Sequence, residues 1–157
     1  PISIYVFRFV SVGFIEFIHY IPVYIIAALI TGRVPSVFAL LYLPLAFLVI
    51  LFNGFWVALL LGFISARFRD IPPIVAAVMG PMMLLTPVIW DVSMLGPRAY
   101  IADLNPFSHF LAIIREPLLG RIPSLLNWGV TVGLGIFGFI LTMAFFRRYR
   151  PYLVFWV

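Results

Sequence analysis
Residues Val37–Pro73 read VFALLYLPLAFLVILFNGFWVALLLGFISARFRDIPP, with no charged side chain before Arg67 and then Arg67-Phe68-Arg69-Asp70 followed by a proline pair. A helix that crosses a bilayer needs roughly 20 mostly apolar residues. Val37–Ile64 exceeds that length, and the arginines that follow mark its arrival at a membrane face. Asp70 is placed as the N-cap of a further helix, with Pro72 and Pro73 in the first turn, where missing amides cost nothing. This stretch therefore reads as a span, a short charged turn and the start of the next span.

Outward from it, three more stretches reach span length: Ile4–Ile30, Ile74–Trp90 and Leu125–Phe146. Thr31–Ser36 is a helix stop and turn. The composition agrees: 65% of the 157 residues are apolar and 10% charged, against about 25% charged in soluble domains, and the mean hydropathy is +1.21. The expected fold is an all-α, polytopic helical membrane protein. It is one transmembrane domain over residues 1–157, with four transmembrane helices plus short outer re-entrant or interfacial helices.

Composition also excludes chemistries. Without cysteine there is no disulfide or thiolate cluster, and two histidines, His19 and His109, cannot alone complete a zinc site, so no metal is expected. All ten cations are arginine. A phosphate-binding loop needs a lysine after its glycines, so any ATP that drives this protein binds another subunit. The basic pI reflects arginines at the ends of apolar runs, an orientation signal and not a nucleic-acid surface. Arg8, Arg67, Arg69, Arg147, Arg148 and Arg150 against Asp70 give one side a net +5, whereas Arg33, Arg98, Arg115 and Arg121 against Asp91, Asp103 and Glu116 give the other +1. Cytoplasmic loops carry the excess, which places the 67–70 turn and the C-terminal tail inside and the 91–123 connection outside.

That connection holds a cap and a proline, Asn105-Pro106, then Phe107, Phe110, Leu111, Ile114 and Leu118 at helical spacing up to Glu116-Pro117 and Gly120. The helix is too short to cross and is expected to be interfacial or re-entrant. Within the first span, Glu16 and His19 share a helical face. They read either as a contact to a polar substrate or proton relay, or as an interhelical hydrogen-bonded pair that orders the bundle, with Asn53 as partner. Arg8 reads as a snorkelling anchor. The Arg67-Phe68-Arg69-Asp70 turn sets topology and caps a helix, and is also suited to docking a soluble partner. Gly80-Pro81 and Thr86-Pro87 are expected to interrupt the third span twice. Gly129, Gly133, Gly135 and Gly138 leave the last span bare enough for a close helix approach. The 17 Phe, 7 Tyr and 4 Trp supply interfacial belts at Trp90, Tyr100, Trp128, Tyr149, Tyr152 and Trp156, or a track on which sugars stack. Ser108, His109 and Asp103 are near in sequence, but a triad is defined by geometry.

Ser65–Pro73, Leu85-Thr-Pro-Val-Ile-Trp90, Leu104-Asn-Pro-Phe107 and Ile114-Arg-Glu-Pro-Leu-Leu-Gly120, in this order and spacing, resemble the membrane subunit of bacterial ABC-2 type exporters, and within them the branch that exports O-antigen, capsule or teichoic acid polysaccharide. The resemblance implies a multi-pass permease of the bacterial cytoplasmic (inner) membrane that forms a homodimer among membrane lipids. It implies two copies of a separate ABC ATPase subunit carrying ATP and Mg, with no cofactor in this chain, and a lipid-linked glycan substrate. The family's cytoplasmic loop maps onto Arg67–Asp70, the ATPase-docking turn, and its outer re-entrant helices map onto Tyr100–Gly120, with Asn105, Pro106, His109, Arg115 and Glu116. Pro81, Thr86 and Pro87 become candidate gating positions. Family members have six spans, so two further spans are expected before Pro1, and the chain reads as the C-terminal four. Two other readings stand beside this one: a same-fold exporter of drugs or lipids, and a membrane-embedded transferase using His19 or His109.

Overall fold
The computed structural model describes residues 2–32 and 35–149; Arg33, Arg150, Tyr152 and Trp156, named above for charge and belt roles, lie outside them. The described residues form helices and turns, with no strand. Helix α1 (Ile2–Thr31) runs through Pro22 and stops at Gly32, whose φ of +66° suits glycine. Helix α2 (Val37–Leu40) is capped by Ser36, whose Oγ accepts from the Ala39 N–H at 3.2 Å. One residue separates it from α3 (Tyr42–Arg67). Pro44 explains the break, because it offers no N–H to the Leu40 carbonyl and its ring presses against it.

Helix α4 (Ile71–Leu85) follows the charged turn. Asp70 stands at its N-cap position but does not cap: its backbone is already helical and its carboxylate accepts no bond from the first turn. The reason lies in the sequence. A cap accepts from the second or third helical N–H, and here those positions are Pro72 and Pro73, which have none. The helix also differs in extent from the expected Ile74–Trp90 span. Thr86 precedes proline and is held extended, with ψ 135°, so Thr86-Pro87 ends the helix, whereas Pro81 is accommodated inside it. Among the described residues, three helices are long and apolar enough to cross a membrane: Ser11–Thr31, Val37–Arg67 and Leu125–Tyr149. The fourth apolar helix, α4, has 15 residues, rising about 22 Å against a hydrocarbon core of about 30 Å.

Beyond α4 come a 3₁₀ segment (Val92–Arg98), α5 (Tyr100–Leu104), α6 (Pro106–Leu118) and α7 (Leu125–Tyr149). Helix α6 begins as the sequence suggests, with the Asn105 Oδ1 accepting from the Phe107 N–H at 3.0 Å and Pro106 in the first turn. It ends at Gly120, φ +77°, where the Arg121 N–H reaches the Glu116 carbonyl and the Gly120 N–H that of Pro117, a Schellman closure that a residue with a Cβ adopts at a cost.

Helices α3 and α7 share the largest interface and run in the same direction: Tyr42 lies by Trp128 at one end and Phe63 by Phe146 at the other. The chain must therefore return between Arg67 and Leu125, and α4 with residues 86–124 makes that return. The same register puts Arg67, Arg147 and Arg148 at one end of the bundle. Midway, Gly135 faces Phe52 and Asn53, and Gly138 lies on the Trp56 indole. The close-approach surface expected on the last span is thus used at two of its four glycines, while Gly129 and Gly133 face open space. Many large apolar side chains are exposed along α1, α3, α4 and α7, as lipid-facing surfaces require.

Candidate functional site
Polar groups gather where α4 ends beneath the outer helices. The Thr86 hydroxyl donates to the Met82 carbonyl one turn back, at 2.8 Å, and accepts from the Asn105 Nδ2 at 3.1 Å. Asn105 thus caps α6 with its oxygen and holds α4 with its nitrogen. One residue further, the Pro87 carbonyl accepts from the Arg115 Nη1 at 2.9 Å. Two of the residues singled out in the outer segment therefore grip the two residues that terminate α4.

His109, buried at 2% exposure, ties the outer helices to α7. Its Nε2 lies 2.8 Å from the Asp103 carbonyl oxygen and its Nδ1 lies 2.7 Å from the Asn127 Oδ1. Both nitrogens are occupied in holding α5, α6 and α7 together, which leaves no nitrogen for nucleophilic or acid–base work. Tyr24 of α1 adds a further tie, donating from its hydroxyl to the Leu118 carbonyl at 2.6 Å.

Between these elements lies a cavity of about 470 Å³ with Asp103, His109, Arg115, Glu116, Arg121 and Asn127 in its walls. At its rim, Asp91 accepts from the Ser93 N–H at 2.8 Å. That hydrogen bond, joined by the Ser93 side chain and the Arg115 and Arg121 charges, holds the Asp91 carboxyl below the ordinary aspartate range. Among the described residues, no group of three His, Asp or Glu is placed to hold a metal ion.

The remaining candidates lie elsewhere. Arg67, Phe68, Arg69 and Asp70 are all exposed in the turn between α3 and α4, with the Arg67 guanidinium 5.3 Å from the centre of the Phe68 ring. Glu16 and His19 are exposed on α1. His19 donates from Nδ1 to the Ile15 carbonyl of its own helix at 2.8 Å, and Glu16 borders a mostly apolar groove with Phe17, Phe47 and Leu51. Asn53 is not their partner. It is buried in the α3–α7 seam, donating to the Val49 and Thr131 carbonyls at 2.8 and 3.2 Å and accepting from the Trp56 Nε1 at 3.1 Å. Helix α1 meets α3 through Phe14 and Phe17 on Phe47, whereas Asn53 turns to α7 through the Thr131 carbonyl.

Asn127, Thr131, Tyr24 and Arg121 were not legible as participants. The available signal was polar side chains in or beside apolar helices, where hydrogen-bonding groups seek partners across the bundle.

The family model described as ABC-2 type transporter matches residues 1–119. No curated protein and no solved structure matches the chain. Membership implies an ABC ATPase as partner and a role in transport that is not itself catalytic. With the match covering the first three long helical elements, the charged turn and the outer helices, the chain belongs to the ABC-2 type transporter family, as a membrane component of an ABC transporter.

Proposed function
We propose that the chain is the permease of an ATP-driven exporter that moves lipid-linked polysaccharide, of the O-antigen, capsule or teichoic acid type, across the bacterial cytoplasmic membrane. Two permease copies form the path, and two copies of a separate ATPase subunit bind ATP and Mg and dock at the Arg67–Asp70 turn. The observation that carries this reading is the placement of α4. It starts directly after the exposed turn and ends in the hydrogen bonds from Asn105 and Arg115, and none of its residues is buried. A rod attached through polar bonds at its far end and through a three-residue turn at its near end can transmit a push. Closure of the ATPase pair moves the turn, α4 carries the motion, and the outer helices shift through Thr86 and Pro87.

A second observation supports the paired permease. A carboxylate such as Glu16 is costly against lipid and normally faces protein or water. The α1 face that exposes Glu16 and His19 therefore suits a second copy or the water-filled path.

The test is co-reconstitution of the intact permease and its ATPase in vesicles. Lipid-linked glycan is expected to stimulate ATP hydrolysis and to cross the membrane. Stimulation by lipophilic drugs or simple phospholipids, with no response to glycan, would overturn the cargo assignment, and product formation without ATP would overturn transport altogether.

A further inference from the structure
We propose that the cavity under the outer helices is a carbohydrate subsite that holds one or two neutral sugar units of the emerging glycan through their hydroxyl groups. The inference rests on the glycan-export reading and assigns a place and a set of contacts to its cargo. Its first support is size: about 470 Å³ falls within the roughly 300–1,000 Å³ of small-ligand sites.

The second support is the donor and acceptor set. Arg115 spends one N–H on the Pro87 carbonyl, leaving its other donors for the cavity. Among the described residues, no hydrogen bond engages the side chains of Arg121, Glu116 or Asp103, and no ion pair joins them. The Ser108 Oγ in the wall is buried without a partner, alone in this among the described side-chain atoms. Guanidinium and carboxylate groups that stand in one cavity without hydrogen bonds between them are poised for a ligand that both donates and accepts. A sugar hydroxyl does both: its O–H donates to Glu116 or Asp103 while its oxygen accepts from Arg115 or Arg121.

The charge balance decides between ligand classes. Two arginines face three carboxylates, Asp91, Asp103 and Glu116. A phosphate or other anion calls for an excess of cations, which is lacking, and a metal ion calls for carboxylates without arginines among them. A neutral polyhydroxyl chain meets no net opposing field. The position is equally specific, since Arg115 in its wall is also a residue that grips the end of α4. A sugar held there is released or gripped as α4 moves, which would give the path a step at its outer end.

The experiment is saturation-transfer NMR on the intact permease in nanodiscs, with a panel of neutral disaccharides as probes and inorganic phosphate as competitor. Saturation is expected to reach the sugar ring protons and to persist in phosphate. The Glu116→Gln, Arg121→Gln double variant and the single variant Asp103→Asn are each expected to weaken binding by about tenfold or more, as the loss of charge-assisted hydrogen bonds implies, with an unchanged unfolding temperature. No transfer from any disaccharide, equal transfer in the variants, or displacement by phosphate would overturn the subsite. The export reading is judged separately: if wild-type vesicles move lipid-linked glycan and the variants move it equally well, the subsite fails and glycan export stands. If wild-type vesicles move none, the export reading itself fails.

Discussion
Replacing Gly138 by alanine sets a methyl group onto the Trp56 indole, because a Cβ at that position overlaps the ring carbons Cε2, Cζ2 and Cδ2. Hydrogen bonds across the seam oppose a simple withdrawal of α7 from α3. On one side of the contact Thr131 and Asn53 are hydrogen-bonded across the seam, and on the other the Thr142 hydroxyl lies 3.4 Å from the Trp56 carbonyl. Either the helices separate or the indole turns, and turning breaks its bond to the Asn53 Oδ1. Overpacking costs about 1–3 kcal/mol and the lost hydrogen bond about 0.5–1.5 kcal/mol, while alanine returns about 1 kcal/mol in helix propensity. The net is a loss of about 0.5–3.5 kcal/mol. Gly133→Ala is the internal control, since a Cβ there meets open space and only the propensity gain remains. Thermal unfolding of the purified protein in one detergent, followed by tryptophan fluorescence, should rank Gly133→Ala at or above wild type and Gly138→Ala clearly below. Trp56→Leu in the Gly138→Ala background should recover part of the loss, as coupled neighbours do. Equal stability of the two alanine variants would refute the close seam between α3 and α7.

The other predictions concern the outer helices. Arg115→Gln and Asn105→Ala remove the two grips on α4, and vesicle assays should show ATP hydrolysis continuing with glycan transport reduced; full transport in both would show that α4 moves nothing. His109→Ala leaves the Asp103 carbonyl and the Asn127 amide unmet in a buried site and should cost about 2–4 kcal/mol by unfolding measurements, with loss of a few tenths only if those groups are not truly buried. For Asp91 the folded pKa lies below its ordinary value, so the stabilisation it gives the 3₁₀ segment is fully present above that ordinary value and disappears as pH falls through the depressed one. NMR titration should find the Ser93 amide responding only below the ordinary aspartate range, and a response within that range would contradict the hydrogen bond.

The helical class and the bundle's long elements were readable because hydropathy over a span is a sum over many residues, insensitive to any one contact. Local chemistry was readable where both partners sit close in sequence: Asn105 caps the helix that Pro106 opens, and Gly120 closes it. The same local reasoning failed at Asp70, where the first-turn prolines expected to favour the helix also remove the amides that a cap would bind. Pairings across helices were the part that sequence did not disclose. Asn53 could have faced Glu16 or α7, and only the parallel course of α3 and α7, which brings Thr131 opposite it, decides. The polar cavity was half visible, in Arg115, Glu116 and His109, while Asn127 and Arg121 joined it only once α7 had been laid beside α6.

The central claim is that force from an ATPase subunit enters through the Arg67–Asp70 turn and leaves through α4. Its most direct test is the coupling ratio, glycan molecules exported per ATP hydrolysed, in vesicles holding the ATPase with either wild-type permease or the Arg67→Ala, Asp70→Ala variant at equal membrane content. The account predicts a strongly reduced ratio and weaker retention of the ATPase on the variant vesicles. An unchanged ratio with unchanged retention would contradict it.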